Sequence, residues 1–573
     1  MSEDLKFRGN SPTKLAFGTS GLRGLVTDIT DLEAYINTKG FLRFALEIND
    51  TKKGDIVYIA GDLRSSTHSE EQSIMCAVQK AILDSGLKVV NLGLIPTPAL
   101  AYFALQKGMV SIMITGSHIP FDRNGIKFNK STGEVLKTDE SAILKAVAFI
   151  RKEEYDQPAD SSLFDDKGWF KKGNRPELPK PEGDAGGVFK QRYLQVLGDK
   201  ALNGMKVVFY QHSAVGRDLL VDLLRELGAT VYPAGRSDTF VPVDTEAISN
   251  DRLAELQVLA DNARKEHGDI DAIVSTDGDS DRPMVVGVSK EGKVRFFGGD
   301  LLGAVVAQWL KANAIAVPVS TNDAVGKYLK TAAIHYTKIG SPYVVAAMNA
   351  LAHKSDEYKV VGWEANGGFL VGTEFVAPGG SSEHKLLPLP TRDAALPIIA
   401  CLRLCVEQKA SVIEIFSKLP PRFSKADLID EFPRKVSLAI LAMFQPPVNQ
   451  NEAKTLDFDL YGKTIVTCHN EQVVVVNDDE EALQRAKDLS TRISNAFSDK
   501  FGFGKPSHID WTDGCRIRFD NNDIAHIRPS GNAPQLRIYA VADTQERADA
   551  IASMAVKEPD GILRTLEKQF EIQ

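Results

Sequence analysis

Short apolar runs alternate with amphipathic stretches along much of this 573-residue chain, and this alternation constrains the fold more than any other feature. The run Asp55–Gly61 predicts a buried strand, Ser69–Leu87 an amphipathic helix, and Lys88–Leu92 the next strand. The same order predicts further strands and one helix at Met205–Tyr210, Arg217–Leu227, Thr230–Ala234 and Asp271–Ser275. Strands separated by helices form βαβ units with parallel or mixed sheets, whose ligands bind beyond the carboxyl ends of the strands.

The pattern changes from about Arg422 onward. Strand-like runs at Gln472–Val476 and Arg516–Phe519 accompany helical patterns at Asp479–Phe497 and Gln545–Val556. This part of the chain predicts a smaller α+β domain. At roughly 150 residues per domain, the length of the chain predicts about four domains.

Two stretches lack a clear period. Tyr155–Gly187 is rich in Asp, Lys, Gly and Pro, and we interpret it as a polar insertion or linker. Ala377–Pro397 mixes Gly, Ser and Pro with few apolar residues, which predicts a long loop.

Composition excludes several classes of protein. Hydrophobic residues make up 43% and charged residues 25% of the chain, which is typical of globular domains rather than of disordered, collagenous or coiled-coil chains. The 68 basic and 76 acidic residues give a net charge of −8, which offers no bulk attraction to nucleic acid or anionic lipid. Apolar runs such as Val110–Ile114 are too short to span a bilayer, and residues 1–10 lack the apolar core of a signal peptide. The five cysteines contain no Cys-x-x-Cys pair and are odd in number, which argues against a disulfide framework. Cys401 and Cys405 stand at helical spacing in the apolar stretch Ala394–Val406, so we expect them in the core of a protein from a reducing, cytoplasmic location.

A polar turn follows the apolar run Val110–Ile114. It reads Thr-Gly-Ser-His-Ile-Pro, and its serine, Ser117, is either a nucleophile placed after a strand or an ordinary turn residue. The segment Asn124–Lys127 predicts a second turn, which could fold Lys127 back over the same site.

A second loop reads Asp-Gly-Asp-Ser-Asp-Arg over Asp277–Arg282. Three alternating carboxylates can converge on one hard cation, and Mg²⁺ with a phosphate oxygen as a further ligand fits that set. A solvated acidic turn is the alternative. An EF-hand fails because its sixth position holds Arg282 and its twelfth Val288.

Three further loops carry glycine and polar side chains. The loop with Glu364 and Asn366 follows a predicted strand and could bind sugar hydroxyls, although a structural turn is equally consistent with it. The segment Arg528–Pro534, closed by Arg537, offers two guanidinium groups, a hydroxyl and backbone amides to an anion such as a phosphate monoester. An N-terminal loop places Arg23 between glycines. Neither a Walker-type loop nor a Gly-x-Gly-x-x-Gly motif is present, so nothing supports nucleotide binding of those types.

Taken in their order along the chain, these five loops resemble those of the α-D-phosphohexomutase family. The family pattern comprises Gly-x-Arg-Gly, Thr-x-Ser-His-x-Pro, Asp-Gly-Asp-x-Asp-Arg, a Glu-containing sugar loop and Arg-x-Ser-Gly. The resemblance implies an α/β fold with three similar mixed-sheet α/β domains and a C-terminal α+β domain around a central cleft. The expected domains are residues 1–190 (phosphoserine, with an insertion near 155–187), 191–297 (metal), 298–421 (sugar) and 422–573 (phosphate).

The resemblance also implies a role for each matching residue. Ser117 would carry the phosphoryl group and, with Asp277, Asp279 and Asp281, hold Mg²⁺. Arg23, Lys127 and His118 would complete the catalytic set, with Lys127 as a general base whose pKa a flanking cation lowers. The implied substrate-binding residues are Arg282, Glu364, Asn366, Arg528, Ser530, Gly531, Asn532 and Arg537.

The implied reaction is a reversible phosphoryl shift between the 1- and 6-positions of a hexose phosphate, through a hexose 1,6-bisphosphate that also serves as activator. Mannose phosphate is our expected substrate, and glucose phosphate or dual specificity is the alternative. An aspartyl-type phosphatase and a non-catalytic paralogue are the rival functions. Departures at Gly116, in the Asn366 loop and at Asn532 leave the sugar open. We expect a monomer or weak homodimer without nucleic-acid or membrane partners.

Overall fold

The computed structural model describes residues 6–9, 15–17, 21–69, 73–246, 248–380, 383–448, 452–460, 462–469, 471–530 and 534–570. The chain divides into two compact units. The first comprises residues 1–316, 331–333 and 340–418, and the second comprises residues 317–330, 334–339 and 419–573. Among the described residues, no helix combines the length and the apolarity that crossing a membrane requires.

The first sheet belongs to the first unit and carries the Ser117 turn. Its strands are β1 (Ala16–Phe17), β2 (Leu22–Leu25), β3 (Ile56–Gly61), β4 (Lys88–Leu94), β5 (Ser111–Ile114), β6 (Arg123–Lys130) and β7 (Gly133–Glu134). The strand order is β1-β2-β6-β5-β3-β4, with β7 beside β6. β3 pairs in parallel with β4 and β5, whereas β6 pairs antiparallel with β2 and β5, so the sheet is mixed.

Helices cover this sheet. They are α1 (Asp31–Glu47), α2 (Ser65–His68), α3 (Ile74–Asp84), α4 (Thr97–Gln106), α5 (Lys137–Tyr155) and α6 (Ala185–Leu197). α1 begins where the Thr30 hydroxyl accepts the Glu33 amide, and α3 begins where the Ser73 hydroxyl accepts the Cys76 amide. The fully buried Phe41 and Phe128 stack with ring centroids 4.5 Å apart, joining α1 to β6.

The second sheet carries the acidic loop and contains β8 (Lys206–His212), β9 (Thr230–Arg236), β10 (Ala272–Thr276), β11 (Pro283–Val288) and β12 (Val294–Phe296). Its order is β12-β11-β10-β8-β9. β8 is parallel to β9 and β10, and β11 is antiparallel to β10. Two helices accompany this sheet, α7 (Leu219–Glu226) and α8 (Asn250–His267).

The third sheet carries the loop with Glu364. Its strands are β13 (Ala314–Pro318), β14 (Ala333–Thr337), β15 (Val360–Trp363), β16 (Phe369–Val371) and β17 (Leu389–Asp393). The same part of the chain contains the helices α9 (Gly299–Leu310), α10 (Ala324–Tyr328), α11 (Ser341–Lys354), α12 (Ala395–Gln408) and α13 (Val412–Phe416). Within the first unit the order is β13-β15-β16-β17, with β13 parallel to β15 and the remaining pairs antiparallel.

The fourth sheet lies in the second unit, and its order is β18-β25-β24-β23-β22-β19-β20-β21, with each pair antiparallel. Its elements are β18 (Phe423–Ile429), α14 (Arg434–Met443), β19 (Ala453–Leu460), β20 (Lys463–Cys468), β21 (Val473–Val475), α15 (Glu480–Ala496), β22 (Pro506–Asp510), β23 (Cys515–Phe519), β24 (Ile524–Pro529), β25 (Leu536–Ala542), α16 (Gln545–Val556) and α17 (Ile562–Lys568). Three mixed α/β sheets and one antiparallel α+β sheet confirm the predicted fold class.

Three local predictions need correction. The predicted helix Ser69–Leu87 begins only at Ile74, because the Ser73 hydroxyl caps it there. Asn124–Lys127 lies in strand β6 rather than in a turn, since it pairs with both β2 and β5. The predicted loop Ala377–Pro397 contains β17 and the start of α12, because buried polar residues of β17 make it a strand without an apolar period.

The segment Tyr155–Gly187 contains no long helix between α5 and α6, as its lack of a clear period predicted. It is nevertheless anchored to the core of the first sheet. Phe164 is fully buried in the core of the first sheet and stacks on Phe170 at 5.1 Å. The predicted burial of Cys401 and Cys405 is confirmed, and Cys76, Cys468 and Cys515 are also free and buried.

Candidate active site

Ser117 lies in the turn between β5 and β6 and is fully buried. Its backbone adopts the left-handed region with φ +56°, which is uncommon for a residue with a side chain. The Ser117 amide donates to the Thr115 hydroxyl at 2.8 Å. The Ser117 hydroxyl donates to Asp277 Oδ2 at 2.5 Å, so the serine turn and the acidic loop share one site.

The acidic loop follows β10, and its three carboxylates converge as predicted. One oxygen from each of Asp277, Asp279 and Asp281 lies within 4.8 Å of the others. The left-handed residue in this loop is Ser280, with φ +57°, and not Gly278. Gly278 is needed for space instead, because a Cβ there would lie 2.5 Å from the Ser117 carbonyl oxygen.

The protein environment shifts the pKa values of Asp277 and Asp281 in opposite directions. Burial, followed by the charges of Asp279 and Asp281, raises the pKa of Asp277 well above its usual range. Burial also raises the pKa of Asp281, but Arg392, Lys127 and Arg282 outweigh it and leave this pKa lowered. Asp279 Oδ1 and Asp281 Oδ1 are buried without a hydrogen-bond partner among the described residues. Carboxylate oxygens that accept no hydrogen bond within the described residues, beside a serine hydroxyl, fit a hard divalent cation, which takes oxygen ligands.

Lys127 lies on β6, and its ammonium bridges two of these acids. Lys127 Nζ donates to Asp279 Oδ2 at 2.5 Å and to Asp281 Oδ2 at 2.8 Å. Burial lowers the pKa of Lys127, but these two carboxylates outweigh it, and the pKa is raised. These carboxylates act against the lowered pKa that was expected for a general base, because the charges nearest to Lys127 are negative.

His118 lies beside the serine, and the charges of Arg282 and Arg23 act on it. His118 Nδ1 lies 3.3 Å from the Ser117 hydroxyl oxygen. Burial, with help from Arg282 and Arg23, lowers the pKa of His118 well below its ordinary value, so the imidazole is neutral. Burial and then the neighbouring arginines lower the pKa of Arg23 to about 10. Neighbouring cations lower the pKa values of Arg23 and His118, and an anion such as a phosphate would relieve this repulsion.

Glu364 and Asn366 follow β15, and the structure gives each of them protein partners. Glu364 Oε2 accepts a hydrogen bond from Arg392 Nη1 at 3.0 Å. The Asn366 side-chain oxygen accepts the Gly368 amide at 2.9 Å, so this asparagine closes its own turn. Asn366 also contacts the connection between β9 and α8, since its carbonyl accepts the Thr245 hydroxyl at 2.7 Å.

Two residues of this site escaped prediction from the sequence. Arg392, at the end of β17, is buried and donates through Nε to Asp281 Oδ2 at 3.0 Å, which links Asp281 to Glu364. Thr97, at the start of α4, donates its hydroxyl to Asp279 Oδ2, and its amide donates to the Asp279 carbonyl at 3.0 Å. Neither lies in a glycine-marked loop, and Arg392 stood in a stretch predicted to be loop.

Replacing Arg392 by methionine removes one cation from two buried carboxylates. We expect a loss of about 3–5 kcal/mol in the free energy of unfolding, because a buried acid is left without its partner. The measurement is a urea titration of wild type and variant. The exposed pair Lys385–Glu374, at 2.8 Å, gives the control: Lys385→Ala should cost at most about 1 kcal/mol. Equal losses in the two variants would contradict the assignment of Arg392 as a buried link.

The predicted phosphate loop lies in the second unit. Arg528 and Arg537 are register partners across β24 and β25. Arg528 Nε donates to Asp513 Oδ2 at 2.9 Å, and the buried Ser530 donates its amide to the Gln535 carbonyl at 2.8 Å. Gly531 and Asn532, also predicted to bind substrate, lie outside the described residues.

A buried serine hydroxyl against clustered acids, ringed by basic side chains in an α/β fold, is typical of enzymes that transfer phosphoryl groups. Family comparison agrees with this class. Sequence profiles described as phosphoglucomutase/phosphomannomutase, alpha/beta/alpha domains I, II and III, match residues 14–154, 191–290 and 298–423.

Relatives match over most of the chain. A phosphomannomutase from Salmonella muenchen is 35% identical over 537 residues, covering 93% of each chain. A phosphomannomutase from Sinorhizobium fredii is 36% identical over 548 residues, covering 94% of this chain and 98% of the relative. The open form of pp63/parafusin, a phosphoglucomutase from Paramecium, shares the fold with a TM-score of 0.61 at 15% identity, covering 98% and 97% of the two chains. This protein therefore belongs to the phosphoglucomutase/phosphomannomutase family and is an isomerase of carbohydrate metabolism.

Proposed function

We propose that this enzyme interconverts mannose 1-phosphate and mannose 6-phosphate, with Ser117 as the phosphoryl carrier and a mannose 1,6-bisphosphate as the intermediate. The sugar is supported by the two phosphomannomutases at 35% and 36% identity. The carrier is supported by one observation above all, the buried Ser117 hydroxyl 2.5 Å from Asp277 Oδ2.

Residues of this chain account for the bonds and the proton that move in the transfer. A hydroxyl of the bound sugar attacks the phosphorus of phosphorylated Ser117, so one P–O bond forms as the bond to Ser117 Oγ breaks. Lys127, as a neutral amine, takes the proton of the attacking hydroxyl and passes it to Ser117 Oγ as the phosphoryl group leaves. Arg23 and Arg282 neutralise the charge on the phosphoryl oxygens.

Ser117, Asp277, Asp279 and Asp281 would hold a divalent cation, for which we propose Mg²⁺. Such an ion withdraws charge from phosphoryl oxygens and neutralises the carboxylates that otherwise keep Lys127 protonated. Asp279 Oδ1 and Asp281 Oδ1 accept no hydrogen bond from the described residues, which supports this choice, since Mg²⁺ prefers oxygen ligands.

The remaining residues would bind substrate. Glu364 and Asn366 would contact sugar hydroxyls, with Arg392 holding Glu364 in place at 3.0 Å. The phosphate that is not transferred would rest on the loop with Arg528, Ser530, Gly531, Asn532 and Arg537. One serine must reach both ends of the sugar, so the bisphosphate must reverse its orientation between the two transfers.

We assign these roles to domains at residues 1–190, 191–297, 298–421 and 422–573, for the serine, the metal, the sugar and the distal phosphate. Burial of all five free cysteines supports a reducing, cytoplasmic location. We propose a monomer or weak homodimer whose partner is a small hexose phosphate.

A substrate panel tests the sugar assignment. Turnover of mannose 1-phosphate and of glucose 1-phosphate is compared by kcat/KM, with Mg²⁺ and a catalytic amount of the matching bisphosphate present. We expect mannose 1-phosphate to be favoured by at least about tenfold, the effect of roughly one well-placed polar contact. Equal values would replace our assignment with dual specificity, and a reversed ratio would make the enzyme a phosphoglucomutase, the alternative that the family description also names.

A further inference from the structure

Arg64 lies just after β3 and is 1% exposed, and its guanidinium forms hydrogen bonds with the turn that carries Ser117. Arg64 Nη2 donates to the Ser117 carbonyl at 3.0 Å and to the Ile119 carbonyl at 2.7 Å. Arg64 Nη1 donates to the Pro120 carbonyl at 2.8 Å and to the Arg123 carbonyl at 3.1 Å. Four carbonyls of one turn therefore point at a single side chain.

The fifth donor of the guanidinium ties the turn to a second anchor. Arg64 Nε donates to Asp62 Oδ2 at 3.2 Å. The same carboxylate oxygen accepts the Thr115 hydroxyl at 2.8 Å and the Gly116 amide at 3.3 Å. Asp62 thus holds the residues before Ser117, and Arg64 holds Ser117 and the residues after it.

An aromatic ring covers the free face of this guanidinium. Arg64 Cζ lies 3.7 Å from the centroid of the Phe240 ring, which belongs to the domain with the acidic loop. A Cβ at Gly278 of the acidic loop would lie 2.9 Å from that ring and 2.5 Å from the Ser117 carbonyl. Arg64 is therefore packed where the serine turn meets the acidic loop.

The turn needs such an anchor because of its conformation. The left-handed backbone of Ser117 costs about 1–2 kcal/mol for a residue with a side chain. The Ser117 carbonyl, which Arg64 holds, belongs to the strained residue itself. Without that hold, the turn can relax and move the hydroxyl away from Asp277 Oδ2.

We propose that Arg64 is a positioning residue for phosphoryl transfer, fixing the strained turn so that the Ser117 hydroxyl points at the acidic loop. This inference rests on the proposed role of Ser117. It requires the planar fork of five donors, because a lysine ammonium has three donors and cannot reach four carbonyls and Asp62 together.

The test is Arg64→Lys, which keeps the charge and loses the fork. We expect kcat to fall about 100-fold with KM within about threefold, the effect of displacing a reacting atom by about 1 Å. Phosphorylation of Ser117 by the bisphosphate should slow by a similar factor. Arg225→Lys is the matched control, since Arg225 donates to the Val231 carbonyl at 3.0 Å, on another sheet, and its kcat should not change.

A folded Arg64→Lys enzyme with kcat within twofold of wild type would overturn the inference. If that variant does not fold, Phe240→Leu decides, because it removes the ring that packs on the guanidinium and so loosens its hold on the turn. We then expect kcat to fall about fivefold, the value of one cation–π contact, and an unchanged kcat would overturn the inference. Failure of the proposed function has a different signature, namely wild-type enzyme that turns over without phosphate on Ser117.

Discussion

Ser117→Ala should lower kcat by at least about a thousandfold, because losing a covalent nucleophile removes the reaction path and leaves only binding and electrostatic effects. The variant should keep its fold, since alanine removes one hydroxyl and keeps the backbone turn. Initial rates with saturating mannose 1-phosphate, Mg²⁺ and bisphosphate measure the effect.

A second serine in the same domain provides the control. The Ser131 hydroxyl donates to Asp50 Oδ1 at 2.6 Å, in the turn between β6 and β7, so it is also a serine paired with an aspartate. Ser131→Ala should leave kcat within twofold of wild type. Full activity in Ser117→Ala would instead favour a carboxylate nucleophile, as in an aspartyl-type phosphatase.

Asp279→Asn should weaken metal binding and slow turnover by roughly a thousandfold, the several kcal/mol that a catalytic divalent ion supplies. One of three carboxylates then loses its charge while Lys127 loses a partner at 2.5 Å. Titration calorimetry with Mg²⁺ measures the binding, and chelation followed by Mg²⁺ addition measures the reversible loss of activity in wild type.

The matched control for this change is Asp50→Asn, which also removes a charge beside a serine hydroxyl. It should leave both the Mg²⁺ affinity and the activity unchanged. Wild-type turnover that survives exhaustive chelation, or equal Mg²⁺ affinity in Asp279→Asn and wild type, would contradict a metal site at the acidic loop.

The sequence predicted most of the fold because its strands are short apolar runs between helical periods. β3, β8 and β10 lie within one or two residues of their predicted bounds. β17 was not predicted, because it is a buried strand made largely of polar residues, and apolar patterning cannot reveal it. The start of α3 was set by one capping hydroxyl, which a long amphipathic pattern obscures.

For the site, motifs contiguous in sequence were predictable and tertiary partners were not. Ser117, Asp277, Asp279 and Asp281 stand in short glycine-marked loops, and the structure brings them together. Arg64, Thr97 and Arg392 act through contacts with residues more than 50 positions away, which no local pattern encodes. The pairing of Lys127 with two acids raises its pKa, whereas a lowered pKa was expected. Only the folded chain fixes which charges lie nearest to this lysine.

In the proposed reaction one serine hydroxyl carries the phosphoryl group. Purified enzyme incubated with hexose 1,6-bisphosphate and Mg²⁺, then digested and sequenced by tandem mass spectrometry, tests it most directly. We predict a single phosphate on the peptide that contains Ser117, which disappears when the enzyme is treated with excess hexose monophosphate, the acceptor in the proposed transfer. Phosphate on an aspartate of the acidic loop, or rapid turnover with Ser117 never modified, would contradict it.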